Sequence, residues 1–176
     1  MKKFFCLILY YGFARYLPPS KYKLFKQIRY MVCKRIFLEC GKNVNIERLA
    51  YFGNGKSIKI GDNSGIGINA HILNNTIIGK DVMMAPNCYM LESLHDISRT
   101  DMPMRWQGNI NKHEQVIIED DVWIGRDVMI IGSKIIKKGS VVGARCLLTK
   151  NFPEYSIIGG NPSILIRCRL NKEKVD

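Results

Sequence analysis

The chain has 176 residues, 47% of them hydrophobic and 24% charged, with a formal net charge of +12. That length allows one domain with a real core, and that balance excludes a disordered chain. Residues 1–48 hold eleven Lys and Arg against Glu39 and Glu47, a net of +9, while the rest of the chain nets only +3. The basicity belongs to an N-terminal segment, and no basic-aromatic platform recurs after it, which argues against nucleic-acid binding.

The chain opens MKKFFCLILYYGF. Its apolar run, Phe4 to Phe13, is far shorter than the ~20 residues that span a bilayer. No clean small-x-small cleavage site follows, so the run is read as retained. Residues 1–17 are expected to form a short apolar helix, stopped by Pro18-Pro19. Residues 20–39 are expected to form a second, with Ser20 as N-cap. Leu24, Phe25, Ile28, Met31, Val32, Ile36 and Phe37 recur at helical spacing, and Lys21, Lys23, Lys26, Arg29, Lys34 and Arg35 fill much of the remainder. Such a basic amphipathic helix beside an apolar stretch suits an anionic membrane surface. It equally suits a cap over the last layer of a repeat domain, and the two roles are compatible.

Beyond this basic helical segment, taken as 1–43, large aliphatic residues return every six positions. They stand at Ile60, Ile66, Ile72, Ile78, Met84 and Met90, and again at Ile118, Ile124, Ile130, Ile136, Val142 and Leu148, after a weak start at Ile46 and Phe52. A helix repeats every three or four residues and a strand every two, so six requires a chain that turns a corner at that interval. The residue after each aliphatic is often small, as at Gly61, Gly67, Gly79, Ala85, Gly125 and Gly143, and is expected to permit the turn. Three such units make a triangular coil whose aliphatics point inward, and stacked coils pair as parallel strands: a parallel β-helix over 44–170, followed by a tail, 171–176. Residues 93–115 break the rhythm. An insertion of that length in a compact fold is expected to be functional or disordered.

The six cysteines, at 6, 33, 40, 88, 146 and 168, form no CxxC pair. They read as reduced thiols of a cytosolic protein rather than a zinc site or a secreted disulfide framework. Cys88 and Cys146 lie within the repeat with no histidine beside them, which argues against an acyl-cysteine intermediate.

The motifs MAPNCYMLESLHD (84–96), IIEDDVWIGRDVMI (117–130) and GSVVGARCLLTKNFPEYSIIGGNPS (139–163), with the loop between the first two, carry a resemblance. Over roughly residues 44–168 the chain resembles the hexapeptide-repeat acyltransferases, closest to bacterial surface-polysaccharide O-acetyltransferases and similar to the galactoside and maltose acetyltransferases. The resemblance implies a left-handed β-helix, a homotrimer with active sites in clefts between protomers, and acetyl-CoA as donor; no metal is expected, because His95 and His113 lie 18 residues apart across an irregular loop.

It also implies roles for individual residues. His95, where regular coiling stops, matches the base that takes the proton of an acceptor hydroxyl, which is a poor nucleophile until that proton leaves. Asp96 and Glu92 are the nearby acids that could orient the imidazole. An acceptor-holding Asn of the galactoside-type enzymes falls on Gly67 here, with Asn69 two residues on as the candidate in its place. His71 reads as a packed or surface residue, and His113 closes the loop. Arg99, Arg105 and Trp106 are candidates for contact with a sugar. Trp123, Gly125, Ala144, Thr149, Lys150 and Arg167 match positions along the coenzyme, while one family Arg falls on Ile164 and one family Ser on Arg126.

The expected activity is O-acetylation of a sugar hydroxyl in surface-polysaccharide synthesis, in the cytoplasm or at the inner face of the membrane, on a saccharide or lipid-linked saccharide. N-acetylation of an amino sugar and a non-catalytic scaffold stand as alternatives.

Overall fold

The computed structural model describes residues 2–91, 94–110 and 114–170. Their core is a three-sided prism of stacked coils. One face stacks Glu39–Cys40, Lys59–Ile60, Ile77–Ile78, Val116–Ile118 and Lys134–Ile136 as a parallel sheet. The second stacks Met83–Met84, Trp123–Ile124, Val141–Val142 and Ser156–Gly159, again parallel. Asn45–Ile46 and Gly65–Ile66 extend it at its start, through the Gly65 N–H bond to the Val82 carbonyl, 2.9 Å. The third carries Tyr89–Leu91, Met129–Ile131 and Leu147–Leu148, preceded by single bridges linking Tyr51, His71 and Tyr89.

The strand registers place the period-six aliphatics directly above one another: Ile60 on Ile78 on Ile118 on Ile136, Met84 on Ile124 on Val142, and Met90 on Ile130 on Leu148. These ten, together with Ile66 and Ile72, are buried, none more than 9% exposed. Their stacking is the hydrophobic column that holds the prism closed.

The corners are made differently from the sequence expectation. Gly61, Gly67, Gly79 and Gly125 are absent from the left-handed backbone region. The left-handed residue comes three positions after the inward aliphatic, at Asn63, Asn69, Asp81, Asn87, Asp121 and Asp127. Short Asx side chains tolerate that conformation by bonding locally. Here they bond along the prism: Asn69 Nδ2 donates to Asn87 Oδ1 (3.1 Å) and Asn87 Nδ2 to Asp127 Oδ1 (2.9 Å). The glycines answer to a close approach instead. A Cβ on Gly67 would lie 2.2 Å from the Ala85 carbonyl oxygen, and one on Gly61 2.6 Å from that of Gly79.

Two helices cover the first coil. Helix α1 spans Lys2–Gly12, followed by a single 3-10 turn, Ala14–Tyr16. Helix α2 spans Lys23–Ile36 with Tyr22 at its N-cap. Ser20 is not the cap, because its hydroxyl accepts from Arg29 Nη2 (2.8 Å) and its N–H donates to Glu47 Oε2 (3.1 Å). Tyr10 stacks on Phe52 (centroids 4.5 Å apart) and donates to the Ala50 carbonyl. Phe37 meets Phe52 edge-on at 4.9 Å. These rings shield the open end of the apolar column, as a terminal unit of a solenoid must.

The interruption in the rhythm is an excursion from the third coil. Leu94–His95 pairs antiparallel with Asn109–Ile110, and Met104–Gln107 forms one helical turn between them. Gln107 ties the lobe together. Its Nε2 donates to the carbonyls of Arg99 (2.8 Å) and Met102 (3.0 Å), and its Oε1 accepts the Arg99 N–H (3.0 Å).

Candidate active site

His95 lies at the base of this lobe, opposite Asn109, with its side chain exposed. The strand that feeds it, Tyr89–Leu91, belongs to the third face, so the imidazole follows directly from the point where the chain leaves the prism. Asp96 is next to it, but its Oδ1 accepts the Ser98 N–H (2.9 Å). That hydrogen bond holds the carboxyl below its ordinary range, and the group acts as an Asx turn that shapes the lobe. Glu92 and His113 lie outside the described residues.

On the third face, immediately before the lobe, three rings stack coil upon coil. Tyr51 and His71 are 4.4 Å apart between centroids, and His71 and Tyr89 4.5 Å. They line a cavity of 190 Å³ that also takes in Asn69 and Arg15. The Arg15 guanidinium stands 5.9 Å from the Tyr51 centroid, and its Nη2 donates to the Leu49 carbonyl (3.0 Å). Aromatic faces beside a fixed cation and an amide suit a hydroxyl-rich ring, which offers C–H faces for stacking and oxygens for hydrogen bonds. Reading by residue type missed this row. Its signal was positional: 51, 71 and 89 each precede an inward residue (Phe52, Ile72, Met90), so their side chains share one outer face.

The remaining candidates fall into separate groups. Arg99 is engaged by Asp101, to which its Nε donates (2.9 Å). Arg105 lies over the Trp106 ring at 5.1 Å, and that ring is 68% exposed at the lobe tip. Trp123, Val141, Ile157 and Arg167 are successive register partners across the second face, so Trp123 and Arg167 share one outward row. Gly125 and Ala144 adjoin that face where consecutive coils touch; a Cβ on Gly125 would lie 2.6 Å from the Ala144 nitrogen. Thr149 stands at the end of the third face. Its N–H donates to Ser163 Oγ (3.1 Å), which ties it to the loop before Ile164–Cys168. Lys150 Nζ lies 5.5 Å from the Phe152 ring centroid. Gly125 and Ala144 thus make a side-chain-poor edge beside the Trp123–Arg167 row, while Thr149 and Lys150 follow the third face. That form suits an extended thioester carrier with phosphates.

Cys88 is buried, its Sγ donating to the carbonyls of Ala85 (3.1 Å) and Gly125 (3.3 Å). Burial pushes its thiol pKa up to about 12. Such a thiol stays protonated near neutral pH, and the thiolate is the nucleophile. Cys88→Ala should therefore keep kcat within about twofold, and a thiol-modifying reagent should titrate Cys88 only after unfolding. A stoichiometric acetyl-cysteine at this position in a quenched reaction would contradict that. Among the described residues no group of three or more His, Cys, Asp or Glu is arranged to hold a metal ion.

A family model, the bacterial transferase hexapeptide (six repeats), matches residues 57–91. The galactoside O-acetyltransferase of Lactococcus lactis subsp. lactis is 31% identical over 138 residues, 76% of this chain; the match spans 64% of that relative's length, less than two thirds. The galactoside O-acetyltransferase of Escherichia coli K12 is 30% identical over 148 residues, 83% of this chain and 71% of that one. A solved galactoside acetyltransferase in complex with coenzyme A superposes with a TM-score of 0.75 at 26% identity, over 94% of this chain and 80% of the other. The architecture is that of the left-handed parallel β-helix.

Proposed function

Because the chain belongs to the hexapeptide-repeat acyltransferase family, we propose that it transfers the acetyl group of acetyl-CoA to a hydroxyl of a saccharide, with His95 as general base. The observation that carries this reading is the placement of His95. An exposed imidazole stands at the base of the lobe that interrupts the coils, and Tyr89, in the last strand described before that lobe, belongs to a row of three stacked rings. The imidazole takes the hydroxyl proton, the oxygen attacks the thioester carbon, and the tetrahedral intermediate collapses with coenzyme A as leaving group. Trp123, Gly125, Ala144, Thr149, Lys150 and Arg167 hold the donor. Asn69, together with Arg99, Arg105 and Trp106 of the lobe, is assigned to the acceptor.

The chain acts as a homotrimer in this reading. Met83, Trp123, Ile164 and Ile166, all more than half exposed on the second face or its outermost strand, give a partner apolar surface to cover. The acceptor class is a surface-polysaccharide unit or its lipid-linked precursor. The protein works in the cytoplasm, at the inner face of the cell membrane.

The test incubates the full chain with acetyl-CoA and a panel of neutral, acidic and amino sugars, following thiol release and characterising the product. A hydroxylamine-labile ester supports the reading. An amide on an amino sugar replaces it with N-acetylation, and absence of thiol release with every acceptor replaces it with a scaffold role.

A further inference from the structure

We propose that the outer face of the two-helix cap docks on an anionic lipid bilayer, and that the outward side of α1 is the part that enters the lipid. The proposal rests on the membrane-side location given above and names the surface and the lipid class.

Helix α1 is apolar on both sides. Its inner side needs no further partner, because Cys6, Tyr10 and Ala14, at four-residue spacing, are buried against the protein. Capping is thus complete without the other side. That other side presents Phe4 (69% exposed), Phe5 (68%), Ile8 (54%) and, just past the helix, Phe13 (55%). A helix that is hydrophobic all round belongs in an apolar environment. Eleven residues reach about 16 Å, too short to cross a bilayer. No helix among the described residues is long and apolar enough to do so. A short helix with one side on protein and one side bare is suited to lie in the plane of the interface.

Helix α2 supplies the charge. It packs beside α1, and its exposed positions include Leu24 and Met31, followed by Lys34 and Arg35 in the last turn. Lys23 and Lys26 line a recess of 320 Å³ where α2 meets the first coil, and Lys26 Nζ already donates to Asn43 Oδ1 (2.8 Å). A headgroup phosphate entering there would meet both ammonium groups. The net of +9 over residues 1–48, against +3 in the remainder, places the attraction on this end of the prism alone. Copies of this chain pairing cap to cap would instead press these like charges together.

Vesicle flotation with the full chain tests this. Vesicles of phosphatidylglycerol and phosphatidylcholine in equal parts should carry the protein up, and pure phosphatidylcholine should not. The double variant Phe4→Ser/Ile8→Ser should bind about a hundredfold more weakly. Lys23→Ser and Arg35→Ser should each cost about fivefold, a loss that shrinks at high salt. These side chains are exposed and outside the proposed site, so circular dichroism and turnover of a soluble saccharide should match the wild type. Three results would overturn the proposal: failure of the wild type to float with anionic vesicles, undiminished binding by the double variant, or a smaller oligomer on sizing the double variant. Acetyl transfer in solution is read separately, so failure here leaves the enzymatic reading standing, and failure of transfer leaves docking measurable.

Discussion

His95→Ala should lower kcat by roughly 10²–10⁴-fold, which corresponds to about 2.7–5.5 kcal/mol of transition-state stabilisation. The KM for acetyl-CoA should hold, because His95 sits on the excursion lobe and not among the residues assigned to the donor. The substitution should fold normally: His95 is exposed, and its strand pairing with Asn109 uses backbone groups that alanine retains. Asp96→Asn supplies the contrast. Its carboxylate serves Ser98, and an amide oxygen can still accept that N–H, so a fall of less than about tenfold is expected. A His95→Ala enzyme with undiminished kcat, or an Asp96→Asn enzyme as impaired as His95→Ala, would remove this division of labour.

The prism was legible in the sequence because a single inward position repeats with large aliphatics, from Ile60 to Leu148. Its second inward position was not. Ser64, Ala70, Thr76, Val82, Cys88, Val122, Val128, Ser140 and Cys146 are also buried, each two residues before one of the aliphatics, but they mix polar and apolar types and carry no hydrophobic period. The corners misled for a related reason. Glycine advertises backbone freedom, yet Gly61 and Gly67 are needed where one coil's backbone meets the next, a contact between residues far apart in sequence. The lobe's location was readable from the break in rhythm. Its fold depends on Gln107 reaching Arg99 and Met102, which no periodicity signals. The ring row shows the general limit: Tyr51, His71 and Tyr89 are ordinary residues one by one and become a surface only when the coil length is known.

Arg29 carries that limit to its largest energetic consequence. By spacing it belongs with the lysines on the basic side of α2, yet the structure buries it completely. Its Nε donates to the Ile46 carbonyl (2.6 Å) on the first coil. Nη1 donates to the carbonyls of Leu17 (3.2 Å) and Pro18 (2.9 Å), and Nη2 to Ser20 Oγ. The Glu47 carboxylate lies 3.8 Å away. One planar guanidinium thus joins α2, the double-proline connector and the prism, a task that five fixed donors perform and a single ammonium does not. Arg29→Ala leaves three carbonyls without this donor and a largely buried carboxylate without its cation. The expected loss is about 3–5 kcal/mol, a large share of an ordinary domain's stability. For a chain of this size that lowers Tm by roughly 6–20 °C. Arg29→Lys should recover less than half of it, and Glu47→Gln combined with Arg29→Ala should be less than additive, because the two share one network. If the cap detaches before the prism melts, the same loss should show as new tryptic cleavage near Lys21 and Lys23 at temperatures where the wild type resists. Unchanged melting together with an unchanged cleavage pattern would mean that the aromatic contacts of Tyr10 and Phe37 with Phe52 hold the helices in place without the guanidinium.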